Sequence, residues 1–289
     1  MLTLRLGASS LVVAPEYGAG ITGWMVGRTP ILRRALPQAS VGGDSHAMGC
    51  FPLVPYGNRI AWGRFHWDGT EYVLQPNFGD HPHTIHGVGW QQPWTVAETT
   101  GCYVSLILRH QPNRSWPFAF DAKVGYRLSD AALTVTIQLT NRHGKAAPAG
   151  IGLHPYFPKL GDPALRFDAG GAWENGADAL PRRHGVPRPD WLHTDPRSVA
   201  RSRLDNCFTA WQGTADILAG SAKLQIVASE VFRQLQVFTP SWADFFCVEP
   251  VSHVPGAINR IDLPAAQAMH ILQPNEAISG TIHFNHSSG

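Results

Sequence analysis

Ala122-Lys123-Val124-Gly125-Tyr126-Arg127-Leu128 is followed, across Ser129-Asp130-Ala131, by Ala132-Leu133-Thr134-Val135-Thr136-Ile137-Gln138-Leu139. In the second run Leu133, Val135, Ile137 and Leu139 fall on one face of an extended chain. Thr134, Thr136 and Gln138 fall on the other, a period of two that suits a strand and not a helix. The short polar link reads as a meander turn, which makes the two runs antiparallel neighbours. The same alternation recurs outward from this pair. It appears at Tyr103 to Arg109, at Leu2, Leu4 and Leu6, at Leu224, Ile226 and Ala228, at Leu235 and Val237, and at Ile278 and Ile282. Phe65 and Trp67 alternate before Asp68-Gly69, and Tyr72 and Leu74 after it; Asp-Gly suits a hairpin turn whose central residues need positive φ. No long segment holds a 3.6-residue apolar period, and there is no repeat or heptad. The expected fold is all-β, a large antiparallel β-sandwich built as one domain over 1–289. The stretch 178–203, rich in Pro, Arg and His, is expected to be an excursion loop rather than a linker.

The bulk properties narrow the function. Of 289 residues, 44% are hydrophobic and only 15% charged, with 29 Gly and 23 Pro, which describes a chain with a sizeable core and many turns. A net charge of +2 points to neither a nucleic-acid nor a membrane partner. No apolar run reaches the length of a membrane span, and Met1 to Leu6 lacks the charged-then-apolar order of a secretory signal. Cys50, Cys102, Cys207 and Cys247 form no Cys-x-x-Cys pair, so reduced, mostly buried thiols are expected. A soluble cytoplasmic protein, monomer or homodimer, is the simplest expectation.

Five polar features stand at the ends of apolar runs. Asn58-Arg59 follows the Pro- and Gly-punctuated loop Phe51 to Gly57 and offers several donors to hydroxyl or carbonyl oxygens, although a solvated turn is the commoner fate of such a pair. His81-Pro82-His83-Thr84-Ile85-His86-Gly87 invites a metal reading, but no carboxylate follows to complete a ligand set. The competing reading keeps only His86 at a site, with Gly87 permitting close approach of the backbone. In Gly152-Leu153-His154-Pro155-Tyr156-Phe157, Pro155 biases His154 towards an extended conformation, a way of fixing an imidazole at a strand end. That imidazole is either a proton donor or a satisfied core histidine. Asp205 in Leu204-Asp205-Asn206-Cys207-Phe208 is a hydroxyl acceptor or an Asx turn. Glu249 ends the apolar run Phe245 to Val248 and precedes Pro250; a carboxylate on a buried strand has a raised pKa and is a candidate general base, with a structural ion pair as the alternative.

In this order the five features resemble the aldose 1-epimerase (mutarotase) family, from Gly18 to about Phe284. The resemblance implies a galactose mutarotase-like β-supersandwich. It also implies an isomerase of free aldohexoses such as galactose or glucose, needing no metal and no organic cofactor. By the same resemblance His154 is the acid that protonates the ring oxygen and Glu249 the base at the anomeric hydroxyl. Asn58, Arg59, His86 and Asp205 are implied as substrate-binding. Pro158 replaces an asparagine common among relatives, and no aspartate precedes Ala257, which bears on sugar identity and rim shape. A non-catalytic carbohydrate-binding or regulatory module on the same fold is the alternative. So is an epimerase of phosphorylated or modified sugars, for which Arg33-Arg34 or Arg182-Arg183 would have to reach the pocket. Trp62, Trp67, Trp90, Trp94 and Trp242 are candidates for stacking on a sugar.

Overall fold

A computed structural model describes residues 1–36 and 47–288. The opening meander is present: strands Phe120–Leu128 and Ala132–Asn141 pair antiparallel, with Leu128 facing Leu133 across the turn. Leu133, Val135, Ile137 and Leu139 are buried, while Thr136 and Gln138 are exposed. Among the described residues these two strands belong to a nine-stranded antiparallel sheet. On one side of them lie Tyr103–His110 and Thr95–Thr99. On the other lie Ala277–Ser288, Ala222–Ala228, Thr214–Ala219, Ala164–Phe167 and Arg197–Ser198. The Asp68-Gly69 hairpin also forms, with φ of 48° and 75° at its central residues.

Among the described residues the second sheet has eleven strands. From its N-terminal edge it runs Leu2–Leu6, Ser9–Ala14, Gly20–Val26, Cys50–Leu53, Gly152–Pro158, Phe245–Val251, Gln234–Phe238, Asp205–Thr209, Gly171–Asn175 and Pro181–Gly185, with Thr29–Leu32 beside Gly20–Val26. The two sheets face each other over one core. Trp24 meets Phe284 edge-on at 6.2 Å, Phe157 meets Phe284 at 6.3 Å, and the Tyr126 hydroxyl donates to the Ala19 carbonyl at 2.8 Å. Burial of this apolar surface is the main favourable contribution to the fold.

The central strands of the larger sheet are buried on both faces. Leu153, Phe157, Phe246, Val248, Leu235 and Val237 point into the sandwich core. The opposite face carries Phe51, Leu53, Tyr156, Cys247 and Val251, packed with Ile85 and Trp90 in a second cluster. That double burial is why Gly152 to Phe157 and Phe245 to Val251 show no apolar–polar alternation and read as apolar runs broken only at His154 and Glu249. All four cysteines are free thiols, with Cys50, Cys207 and Cys247 buried.

Two expectations are corrected. The 178–203 stretch is not only loop: Pro181–Gly185 forms an edge of the larger sheet and Arg197–Ser198 an edge of the smaller one. Arg182, Arg183 and His184 are exposed there, and charged side chains on an edge strand hide its strand character from hydrophobic pattern reading while blocking edge-to-edge association. His154 does not sit at a strand end but within Gly152–Pro158. Pro155 is accommodated there because the ladder to Phe245–Val251 is interrupted between the pairs Gly152–Val251 and Tyr156–Cys247, where Pro155 and Pro250 bring no amide hydrogen.

Candidate active site

The second face of the larger sheet carries its polar groups in rungs. Across the strands Cys207 opposes Gln236, Gln236 opposes Glu249, and Phe51 opposes His154. The pairs Gly152–Val251 and Tyr156–Cys247 share one register, which sets His154 across from Glu249. One rung therefore reads Cys207, Gln236, Glu249, His154, Phe51. The next reads Asp205, Phe238, Cys247, Tyr156. Side chains directly opposite on antiparallel strands lie within contact distance, so residues nearly a hundred positions apart become neighbours. Nε2 of His154 lies 3.4 Å from Oε1 of Glu249, and both side chains are buried. Phe51 and Tyr156 stack on the His154 ring at 4.8 and 4.6 Å, which fixes its plane.

Two loops close the site over this grid. Arg59–Ile60 pairs with Thr84–Ile85, so Asn58 and His86 are adjacent. The Asn58 amide donates to Nδ1 of His86 at 3.2 Å, and the His86 amide donates to the Asn58 carbonyl at 2.9 Å. With Nδ1 accepting, a neutral His86 carries its proton on Nε2. Asn58 and His86 both have positive φ, 56° and 61°, conformations that surrounding contacts must impose on residues with side chains. At His86 the contact is Asn77. Its amide donates to the carbonyls of Ile85 and Gly87 at 2.7 and 3.1 Å, and its oxygen accepts from the Ile85 amide at 2.9 Å. Gly87 follows at φ 71°, and a Cβ there would stand 2.2 Å from the Val54 carbonyl oxygen, so the expected close approach is real.

Asn58, Arg59, His86, His154, Asp205 and Glu249 all line one cavity of about 390 Å³. Burial pushes the Glu249 carboxyl well above the usual carboxylate range; the negative charge of Asp205 adds to this and Arg59 opposes it. Asp205 is raised for the same first reason, against the pull of Arg59 and of a hydrogen bond from the Gln236 amide at 3.0 Å. The cavity thus holds two carboxyl groups that resist ionising together.

Pattern reading missed Gln236. It is buried in the same cavity, and its Oε1 has no partner among the described residues while its NH₂ is committed to Asp205. A buried acceptor left open towards a cavity is suited to a hydroxyl donor. The signal was present: the alternation of Leu235 and Val237 assigns Gln236 to the face opposite the core. Arg33 also reaches the cavity wall. Its guanidinium donates to the Met48 carbonyl and lies over the rings of Tyr156 and Phe245. Arg182 and Arg183 instead pair with Asp178 and Glu174. Of the five tryptophans considered, Trp242 lines the cavity and is exposed, whereas Trp90 and Trp94 are core.

The three histidines of the 81–86 stretch do not converge. Nδ1 of His83 accepts the Trp62 amide at 3.0 Å, Nδ1 of His81 is engaged with the His83 backbone, and His86 faces the cavity. His253 has a structural part near the site: its Nε2 accepts the Gly57 amide at 3.1 Å and its Nδ1 donates to the Val254 carbonyl at 2.8 Å, which ties the loop before Asn58 to the chain after Glu249.

This two-sheet sandwich, with its cavity on the outer face of the larger sheet, has a galactose mutarotase-like fold. The structure superimposes on that of a galactose mutarotase-like protein from Clostridium acetobutylicum with a TM-score of 0.88 at 19% identity, over 99% of this chain and 95% of the other. A structure from Escherichia coli K12, provisionally named an aldose 1-epimerase, aligns with a TM-score of 0.89 at 28% identity, over 99% and 98%. The chain belongs to the aldose 1-epimerase family, whose family model matches residues 1–285. It is 31% identical to the uncharacterized protein YphB of Escherichia coli K12, over 95% of this chain and 94% of that protein. No helix among the described residues is long and apolar enough to cross a membrane.

Proposed function

We propose that the protein is a cofactor-independent aldose 1-epimerase that interconverts the α and β anomers of a free aldohexose such as galactose or glucose. One observation carries this reading: His154 Nε2 and Glu249 Oε1 stand 3.4 Å apart on the wall of a cavity that also offers Asn58, Arg59, His86, Asp205 and Gln236. At a hemiacetal the two reacting oxygens, O1 and O5, are bonded to the same carbon. An acid and a base that serve them must therefore be neighbours, which an opposed cross-strand pair supplies.

In this reading the Glu249 carboxylate removes the proton from the O1 hydroxyl. The O1–H electrons become the second bond of C1=O1. The C1–O5 bond breaks, and O5 takes the proton of the His154 imidazolium. The open-chain aldehyde, protonated Glu249 and neutral His154 result. Rotation about C1–C2 presents the other carbonyl face. O5 then attacks C1 and returns its proton to His154, while O1 takes the proton from Glu249. Burial helps Glu249, because a carboxylate whose pKa is raised is a stronger proton acceptor. Arg59 and His86 position the ring and share charge around O5, and Asn58, Asp205 and Gln236 bind hydroxyls.

The test is polarimetry on fresh α-D-glucose and α-D-galactose. Acceleration of the drift to equilibrium rotation, lost in His154→Ala, supports the reading. Sugar binding without acceleration favours a binding module. Arg33 in the cavity wall favours one extension of the assay, to aldoses carrying a phosphate or carboxylate, since a guanidinium pairs well with either.

A further inference from the structure

Cys247 is a buried thiol that the proposed reaction does not use. It lies two residues before Glu249 on the same strand and face, and opposite Tyr156 on the His154 strand. One nitrogen of His154, the sulfur of Cys247 and one oxygen of Glu249 all lie within 4.8 Å of one another, and all three residues are buried. Among the described residues no other set of three such groups converges in this way.

We propose that His154, Cys247 and Glu249 form an inhibitory site for a thiophilic divalent cation, with Zn²⁺ the best fit. The geometry is nearly in place. Nitrogen and oxygen ligands about 2.0–2.2 Å from a tetrahedral ion stand roughly 3.3–3.5 Å from each other. His154 Nε2 and Glu249 Oε1 are already 3.4 Å apart, and the Cys247 sulfur, within 4.8 Å of a His154 nitrogen and a Glu249 oxygen, has to close in on them. The charges also balance: a thiolate, a carboxylate and a neutral imidazole cancel the two positive charges of the ion, so the buried site ends neutral, as burial requires. Arg59 nearby opposes the ion and Asp205 offsets it. A nitrogen, sulfur and oxygen set selects Zn²⁺ or Cd²⁺ over Mg²⁺ or Ca²⁺, which take oxygen ligands. His154 and Glu249 both line the cavity, so the fourth position faces it and can be filled by water or a hydroxyl.

Binding itself does not depend on the proposed reaction. The loss of turnover does, because the ion would take the lone pair of His154 and the carboxylate of Glu249. The experiment therefore reads the two separately. Full-length untagged protein is stripped with a chelator and titrated with Zn²⁺ against a chromophoric competitor, then with Cd²⁺ while the ultraviolet thiolate-to-cadmium charge-transfer band is followed. The expected result is one tight Zn²⁺ per chain and a charge-transfer band with Cd²⁺. Cys247→Ala should abolish the band and weaken Zn²⁺ binding by about 100-fold or more, beyond the cost of disturbing an outer-shell partner. Cys207→Ala should leave both intact. Mutarotation, where present, should be blocked by Zn²⁺ in wild type and persist in Cys247→Ala. Cys247→Ser, which keeps the side-chain volume closer, gives the same readouts if the alanine variant fails to fold. Absence of the charge-transfer band in wild type, or Zn²⁺ bound equally tightly by a folded Cys247 variant, overturns the proposal. A sound metal titration with no mutarotase activity instead overturns the proposed function and leaves the site standing.

Discussion

His154 and Glu249 face each other across two neighbouring antiparallel strands, Nε2 to Oε1 at 3.4 Å, at the point where Pro155 and Pro250 interrupt the backbone ladder. The pairing is fixed by sheet register, not by loop conformation. A one-residue slip of either strand would turn one of the two side chains into the sandwich core. Leu153 and Val248, the flanking residues on the core face, prevent that slip by their own burial. The apolar core therefore holds the proposed acid–base pair in alignment.

That alignment makes substitution of either partner an isosteric test. Glu249→Gln keeps the shape and removes the charge. It should lower kcat by about 10²–10⁴-fold while sugar binding, read by tryptophan fluorescence, changes little. Near-normal turnover in this variant would remove Glu249 as the base. The same variant should also be more stable. A carboxyl raised by burial costs nothing while protonated, and destabilises the native state as pH rises from the ordinary carboxylate range through its raised folded value. Glu249→Gln should therefore melt about 2 °C or more above wild type near neutrality, with the difference vanishing in acid.

The pH profile should report the coupling between Glu249 and Asp205. With Glu249 as base, kcat/KM rises with pH as Glu249 ionises, so the acidic limb lies above the usual carboxylate range. The negative charge of Asp205 contributes to that elevation, and removing it lowers the Glu249 pKa. Asp205→Asn should thus move the acidic limb to lower pH even as weaker hydroxyl binding raises KM. A limb that stays in place would show that Glu249 is not the group being titrated.

How much of this was legible beforehand depends on the kind of signal. Leu133 to Leu139 alternates because only one of its faces is apolar, so the sandwich could be read from it. The strands carrying His154 and Glu249 are buried on both faces, so their apolar runs fixed neither register nor the face of each side chain. The six polar residues singled out by motif all reach one cavity, since each interrupts an apolar run where a polar group needs a reason to be. Gln236 was passed over because it looks like the polar half of an ordinary alternation. Arg33-Arg34 and Arg182-Arg183 look alike as dibasic pairs, and nothing in the sequence tells that Arg33 reaches the cavity while Arg182 and Arg183 pair with Asp178 and Glu174. The edge strand Pro181–Gly185 was hidden by the charged residues that protect it.

Asn77 is expected to act as a positioning residue. It does not line the cavity itself but holds the backbone on both sides of His86, whose φ is 61°. Asn77→Ala should release that strain and let the imidazole wander. Displacements of about 1 Å can cost up to 10²-fold in rate, so kcat should fall about tenfold or more. Asn77→Asp keeps the acceptor for the Ile85 amide and loses both donors, and should fall between alanine and wild type. A purely structural role would lower the melting temperature and leave kcat/KM of the folded fraction unchanged, which is the outcome against this assignment.

His253 should make stability pH-dependent in a defined window. Both ring nitrogens are occupied, Nε2 by the Gly57 amide and Nδ1 by the Val254 carbonyl, and burial holds its pKa down at about 4 against an ordinary 6.5. Below pH 6.5 the unfolded chain takes up a proton that the native state refuses until about pH 4. The unfolded state therefore binds more protons in that window. The stability contributed at neutral pH is lost as pH falls, at up to about 1.4 kcal/mol per pH unit and on the order of 3 kcal/mol in all. Urea unfolding of wild type should show this loss between about pH 7 and about pH 4, and His253→Gln, though less stable at neutral pH, should lose distinctly less over the same interval. Equal losses in the two proteins would assign the effect to other buried histidines, such as His110 and His193, whose pKa values burial also lowers.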